Sequence, residues 1–292
     1  MIRTGSVVEA RRWGAERRRA GQRVALVPTM GALHAGHLAH VAWARRDGAA
    51  VAMSVFVNPT QFGPGEDFAR YPRDLDADAG LAAEAGVDLL FAPEPREIYP
   101  DGEPSVTVDV GRLATVLEGR WRPTHFRGVA TVVAKLLTGL QPDVVTFGQK
   151  DAQQVVVARR LVRDLLLPVE VLCVPTVREA DGLALSSRNR YLTAPQRRAA
   201  PVLGRALAAA AALVESGERD AQAVLACAEA VLATEPLGRT DYLEAASAED
   251  LRPLTVLQGR VLLLLAVRFG QTRLLDNACL DVGVAAAARA LP

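Results

Sequence analysis

Three of the chain's four histidines, His34, His37 and His40, fall within one seven-residue stretch. His34 and His37 close the string Pro28-Thr29-Met30-Gly31-Ala32-Leu33-His34-Ala35-Gly36-His37. Gly31 and Gly36 permit tight turns and close approach of a ligand to the backbone. His37 is placed at the start of a helix, where unpartnered backbone N–H groups attract anions. His34 and His37 can face one anion together, donating to phosphate oxygens and stabilising charge on a departing phosphate group. The plainer alternative is that one histidine caps the turn and the other is a surface residue. A zinc site is disfavoured, because no cysteine or acidic ligand stands at a matching spacing. His40 reads as helix surface and receives no role.

Three further groups carry chemistry-bearing side chains. In Phe147-Gly148-Gln149-Lys150-Asp151-Ala152-Gln153-Gln154, Lys150 supplies a point charge for phosphate, set at a strand end where it would face the crevice of His34 and His37. Asp151 and Gln154 stand as D-x-x-Q, which at a helix start is equally a capping box. In Asp181-Gly182-Leu183-Ala184-Leu185-Ser186-Ser187-Arg188-Asn189-Arg190, hydroxyls and a guanidinium can grip phosphate oxygens; taken alone, the stretch is a polar linker. In Asn58-Pro59-Thr60-Gln61-Phe62-Gly63, the Gln61 amide can bind a hydroxyl or carboxylate, and the alternative is a simple Asn-Pro turn.

The elements that must position these groups alternate. Gln22 to Val27 is an apolar strand stopped by Pro28, His37 to Asp47 has helical spacing before Gly48, and Ala50 to Val57 is a second strand ending at Asn58-Pro59. Then follow an Asp74–Ala85 helix, a Val87–Phe91 strand, a Phe126–Leu140 helix, a Val144–Phe147 strand, an Asp151–Leu165 helix and a Val169–Val174 strand. Such alternation predicts an α/β fold with a mostly parallel sheet and helices on both faces. Past Pro175 the pattern changes to a polar loop, a helical tract from Pro195 to Ser216, a helix near Ala221 to Ala233, and strands around Tyr242–Ala245 and Val261–Arg268. This is read as a smaller α+β domain, giving domains of residues 1–175 and 176–292.

Composition narrows the partners. The 34 basic and 33 acidic residues leave a formal charge of +1, so no global field favours nucleic acid, and a small-molecule partner is expected. Cys173, Cys227 and Cys279 are widely spaced and outside any C-x-x-C pattern, which indicates reduced thiols and a cytoplasmic location. The arginine-rich stretch from Arg3 to Arg19 reads as a solvated helix face rather than a signal peptide. The Val261 to Val267 stretch is far too short to span a bilayer.

In its strand-to-helix setting, His34-Ala35-Gly36-His37 resembles the H-x-G-H signature of the nucleotidylyltransferase superfamily, and Asp181–Arg190 resembles that superfamily's mobile second signature loop. These groups, with Tyr71-Pro72-Arg73, the stretch Glu118 to Val129 and Thr272-Arg273-Leu274-Leu275-Asp276-Asn277, resemble the pantothenate synthetase family over nearly the whole chain. The resemblance implies a Rossmann-like first domain, a second domain serving as a lid, a homodimer, and ATP with Mg2+ as co-substrate. It implies ATP contacts along Met30, Gly31, Ala32, Leu33, His34, Ala35, Gly36 and His37, with His37 as proton donor and His34 on the phosphates. Further ATP contacts would be Gly148, Gln149, Lys150, Asp151, Val177, Leu185, Ser186, Ser187 and Arg188, with Lys150 and Arg188 catalytic. Pantoate and β-alanine would be bound through Gln61 and Gln154, and pantoate would be activated as an acyl adenylate. The sequence departs from the family's usual residues at Gln149 (glutamate), Ala35 (acidic), Leu185 (methionine) and Thr124 (glycine). Gln149 stands out because a lost carboxylate beside Lys150 would remove a charge partner.

Overall fold

The computed structural model describes residues 1–46 and 48–283. Asp47, the expected end of the helix from His37, and residues 284–292, the end of the expected second domain, lie outside the described residues. The chain forms two compact units. One comprises Met1–Gly148 and Gln153–Val174; the other takes Gln149–Ala152 together with the chain from Pro175 onward.

The first unit carries strands β1 (Ile2–Thr4), β2 (Val24–Thr29), β3 (Ala50–Val55), β4 (Leu89–Phe91), β5 (Val144–Gly148) and β6 (Glu170–Val174) in one sheet. Their order is β1-β4-β3-β2-β5-β6, and every pairing is parallel. Helices α1 (Val7–Arg19), α2 (Ala35–Ala44), α3 (Leu75–Glu84), α4 (Pro95–Ile98), α5 (Glu118–Trp121), α6 (His125–Leu140) and α7 (Ala152–Asp164) provide the crossovers and the cover. Alternate residues of β2 serve opposite faces, as the two-residue period of a strand requires. Val24 and Leu26 pack with Trp13, Leu137 and Leu161, whereas Ala25 and Val27 pack with Val41 and Ala79. Burial on both faces explains why these strands read as continuous apolar runs.

Two expectations change, and one strand is added. Pro28 does not stop β2, which runs on through Pro28↔Ser54 and Thr29↔Val55. On the other side, the β2–β5 ladder pairs only Ala25 and Leu26, so the missing proline N–H falls where pairing has already lapsed. The edge strand β1 has only three residues and escaped notice because so short a run carries no periodic signal. The helix expected from His37 begins at Ala35, with His34 as its cap.

The second unit carries α8 (Ala194–Ala199), α9 (Val202–Glu215) and α10 (Ala221–Leu232), then strands β7 (Gly238–Ser247), β8 (Gly259–Phe269) and β9 (Thr272–Val282) in an antiparallel sheet. The tract read as one helix from Pro195 to Ser216 is broken at Pro201, the cap of α9, because a proline ring clashes with the preceding turn. Leu203, Leu207, Val224, Leu263, Leu265 and Phe269 form this unit's core. Among the described residues, no helix is long and apolar enough to cross a membrane.

One buried charge cluster sits in the small sheet. The pairing of β7 with β8 slips between Thr240 and Tyr242, and the extra residue, Asp241, has a side chain with 0% exposure. Its carboxylate accepts from Arg268 Nε at 3.1 Å and Arg273 Nε at 2.6 Å. Removing one partner of a buried pair strands the other charge. Asp241→Ala is therefore expected to destabilise the protein by about 3–5 kcal/mol, measured as a lowered urea midpoint at unchanged slope.

Candidate active site

The histidine motif occupies the turn from β2 to α2. Thr29 Oγ1 donates to the Ser54 carbonyl at 2.7 Å and accepts from Gly31 N at 3.2 Å, tying the strand end to β3. Gly31 (φ +84) and Ala32 (φ +52) then both adopt left-handed conformations. Asp78 of α3, 4% exposed, accepts from Ala32 N at 3.0 Å and from Leu33 N at 2.8 Å. A Cβ on Gly31 would lie 2.7 Å from that carboxylate, so glycine is needed for space as well as for its φ.

His34 and His37 then cap α2 reciprocally. His34 Nδ1 accepts from Gly36 N at 3.1 Å, and His37 Nδ1 accepts from His34 N at 3.3 Å. Their rings lie 4.1 Å apart, tilted by 35°. An Nδ1 that accepts from an amide carries no proton, so each neutral ring keeps its hydrogen on Nε2, a donor. Capping and anion donation are thus compatible, not alternatives. His40 is not plain surface: its Nδ1 lies 2.9 Å from Thr146 Oγ1 of β5, and its Nε2 would be 3.2 Å from a Cβ on Gly148.

Gln61 lies next to this turn. Asn58 caps the short turn Pro59–Gln61, so the Asn-Pro turn is present. Gln61 Oε1 accepts from Asn58 Nδ2 at 3.1 Å, and Gln61 Nε2 lies 2.9 Å from Met30 Sδ. Asn58, 1% exposed, also donates to the Gly128 carbonyl at 3.2 Å and accepts from Tyr99 Oη at 2.8 Å. Burial pushes the Tyr99 phenol above its ordinary value, against a smaller opposing effect of its hydrogen bond with Thr60. The Gln61 carbonyl lies 3.0 Å from His125 Nδ1 and accepts from Arg122 at 3.3 Å. A Cβ on Gly128 would lie 2.3 Å from the Thr60 carbonyl oxygen, so α6 and the Gln61 turn meet backbone to backbone. Gln154 is half-buried on α7; its neighbour Gln153, given no role above, is buried and donates to the Leu113 and Val116 carbonyls at 2.9 Å each.

The second unit holds the other candidates. Gln149–Asp151 is one short 3₁₀ turn. Lys150 Nζ donates to Asp151 at 3.2 Å, while the Gln149 amide donates to Asn277 Oδ1 at 2.8 Å. The carboxylate paired with Lys150 is thus Asp151, and the charge partner whose loss at position 149 was anticipated is supplied by the next residue. The polar linker is a tied loop: Leu185 N donates to the Val177 carbonyl at 2.9 Å, and Arg178 bridges to Ala184. Arg197 pairs with Glu179 at 2.7 Å and Asp181 at 2.6 Å. That pairing holds the Asp181 carboxyl below its ordinary value. Ser186 caps the turn Ser187–Tyr191, accepting from Arg188 N at 3.3 Å. Among the described residues, no group of three or more His, Cys, Asp or Glu side chains is arranged to hold a metal.

The family described as Pantoate-beta-alanine ligase matches residues 3–279. The chain belongs to this family. It is similar to the pantothenate synthetase of Moorella thermoacetica, with 53% identity over 95% of this chain and 98% of that protein. The pantothenate synthetase of Chloroflexus aurantiacus is 58% identical over 87% and 91% of the two chains. Among solved structures, the pantothenate synthetase of Thermus thermophilus superposes with a TM-score of 0.88 at 50% identity, covering 95% of this chain and 99% of that one. Pantoate-beta-alanine ligase from Francisella tularensis, solved with beta-gamma ATP and beta-alanine, gives a TM-score of 0.74 at 31% identity over 95% and 97% of the chains. The expected parallel α/β sheet with a smaller α+β region is the architecture of this ligase family.

Asp78 and Tyr99 lie outside the motifs read from the sequence, and Asn58 and Gly128 lie inside them without an assigned binding role. Asp78 carries no local signal, since the acidic residues Asp74, Asp76 and Asp78 at the start of α3 read as helix-start charges. In Asp78→Asn the amide nitrogen would face a backbone N–H. It is expected to cost about 1–3 kcal/mol, one unsatisfied buried group, in urea denaturation. Gly128→Ala should cost at least about 1–3 kcal/mol by overpacking, with Gln61's own contacts displaced, as read from thermal unfolding.

Proposed function

We propose that this ligase joins pantoate to β-alanine at the expense of ATP, through a pantoyl adenylate. In the first step a pantoate carboxylate oxygen attacks the α-phosphorus in line, the bond from that phosphorus to the bridging oxygen breaks, and pyrophosphate leaves. In the second, the β-alanine amine attacks the adenylate's acyl carbon, forming the C–N bond and expelling AMP. A carboxylate is already ionised at neutral pH, so the protein's task is to position it and to stabilise phosphate charge.

The reciprocal capping of His34 and His37 carries the assignment of residues. It puts the proton of each neutral ring on Nε2 and both rings beside a helix N-terminus, an arrangement that favours an anionic leaving group. In this reading ATP contacts run from Met30 to His37, with His37 as proton donor, and continue through Gly148, Gln149, Lys150, Asp151, Val177, Leu185, Ser186, Ser187 and Arg188. Gln61 and Gln154 bind pantoate. The rigid hold on Gln61 by Asn58 and the Met30 contact support its part. Mg2+ would enter with the nucleotide, held by its phosphates and by retained waters, and would supply neutralisation of phosphate charge. The chain acts in the cytoplasm as a homodimer.

Exchange of labelled pyrophosphate into ATP should require pantoate, and AMP release should require pantoate, β-alanine and ATP together. His37→Ala is expected to lower the exchange rate roughly 100- to 1000-fold, with thermal stability lowered only by the lost cap bond, about 0.5–2 kcal/mol. Exchange without pantoate would contradict the adenylation order, and a full rate in His37→Ala would remove that residue from the chemistry.

A further inference from the structure

We infer that Asn277, on β9, is the positioning residue for Lys150, and that Gln149 is its matched partner. This rests on the reading of Lys150 as a phosphate contact. The turn Gln149–Asp151 is three residues long, too short to hold its own direction. Asn277 Nδ2 donates to the Gln149 carbonyl at 2.8 Å and to the Lys150 carbonyl at 3.0 Å. Those carbonyls belong to the peptide groups on either side of the Lys150 Cα. Fixing both sets the direction in which the lysine side chain leaves the backbone.

Asn277 is itself held. It is 5% exposed, pairs with Leu264 in the β8–β9 ladder, and donates its backbone N–H to Asp276 Oδ1 at 2.8 Å. Asp276 in turn grips Arg178 through two bonds of 2.6 and 2.9 Å, so adjacent residues of one strand fix the turn of Lys150 and the base of the Val177–Leu185 loop.

The donor count makes the pair specific. With both Nδ2 hydrogens committed to carbonyls, the Asn277 oxygen can only accept, and it takes the Gln149 amide at 2.8 Å. A glutamate at 149 would set an acceptor against an acceptor. Rotating the Asn277 amide would not relieve this, because its oxygen would then face the two carbonyls. In this chain glutamine at 149 supplies the donor that the Asn277 oxygen accepts.

The test compares Asn277→Ala, Lys150→Ala, the double variant and Gln149→Glu in pantoate-dependent pyrophosphate exchange, with thermal unfolding alongside. Misplacing a reacting group by about 1 Å costs on the order of 100-fold. Asn277→Ala is expected to lose about that factor in kcat, with a smaller change in KM for ATP. The double variant should be no slower than Lys150→Ala, because both changes remove the same contribution. Gln149 is half-buried and its substitution spares the core, so Gln149→Glu decides the matter if Asn277→Ala fails to fold; it should lose kcat and show the same non-additivity with Lys150→Ala. Additive losses, or a full rate in either variant while Lys150→Ala is impaired, would overturn this inference alone. A full rate in Lys150→Ala would overturn the reading of Lys150 and this inference with it.

Discussion

The histidine turn depends on one buried carboxylate. Asp78 accepts the backbone N–H groups of Ala32 and Leu33, which a left-handed turn would otherwise leave buried and unsatisfied. An unpaired buried N–H costs about as much as a lost hydrogen bond, and a non-glycine residue in the left-handed region adds strain. The two costs are met at the same place by the same side chain. Only with the turn fixed does α2 start at Ala35 with His34 as its cap, and only then does each imidazole present Nε2 rather than Nδ1 as its donor.

The second unit repeats this device with different atoms. Asn277 serves the backbone carbonyls flanking Lys150, and Asp276 serves Arg178. In both units a rigid element supplies a side chain that satisfies the backbone of a candidate-site turn. Asp78 comes from a helix, and Asp276 and Asn277 come from a strand buried in an antiparallel sheet. Sites built so are more precise than loops left to themselves, since the supporting side chain has no rotamer freedom to lose. The hold of α6 on the Gln61 turn follows the same logic through shape: Gly128 admits the Thr60 carbonyl where any side chain would exclude it.

Much of the frame was legible because its signals are local. Burial on both faces turns β2, β3 and β5 into apolar runs, and the helix limits at Asp74 and Leu140 follow from a cap and an apolar period. Failures came where local rules met tertiary context. Pro28 continues a strand because its neighbour's pairing has ended, and β1 pairs with β4, distant in sequence. In the Pro195–Ser216 tract the local rule prevails instead: Pro201 divides the helical stretch into α8 and α9.

By itself the sequence determined the residue types able to bind phosphate, their position at strand ends, the alternation that makes a parallel sheet, and the family, through the joint order of weak motifs. It left open whether His34 and His37 cap the helix or serve chemistry, and whether Lys150 had lost its charge partner at position 149. Tertiary structure shows that both rings cap the helix with Nδ1, and that Asp151 pairs with Lys150 while Gln149 turns to Asn277. The reason is geometric. A hydrogen bond such as Asp78 to Leu33, 45 residues apart, leaves no period or spacing in the sequence, because only folding brings donor and acceptor within reach.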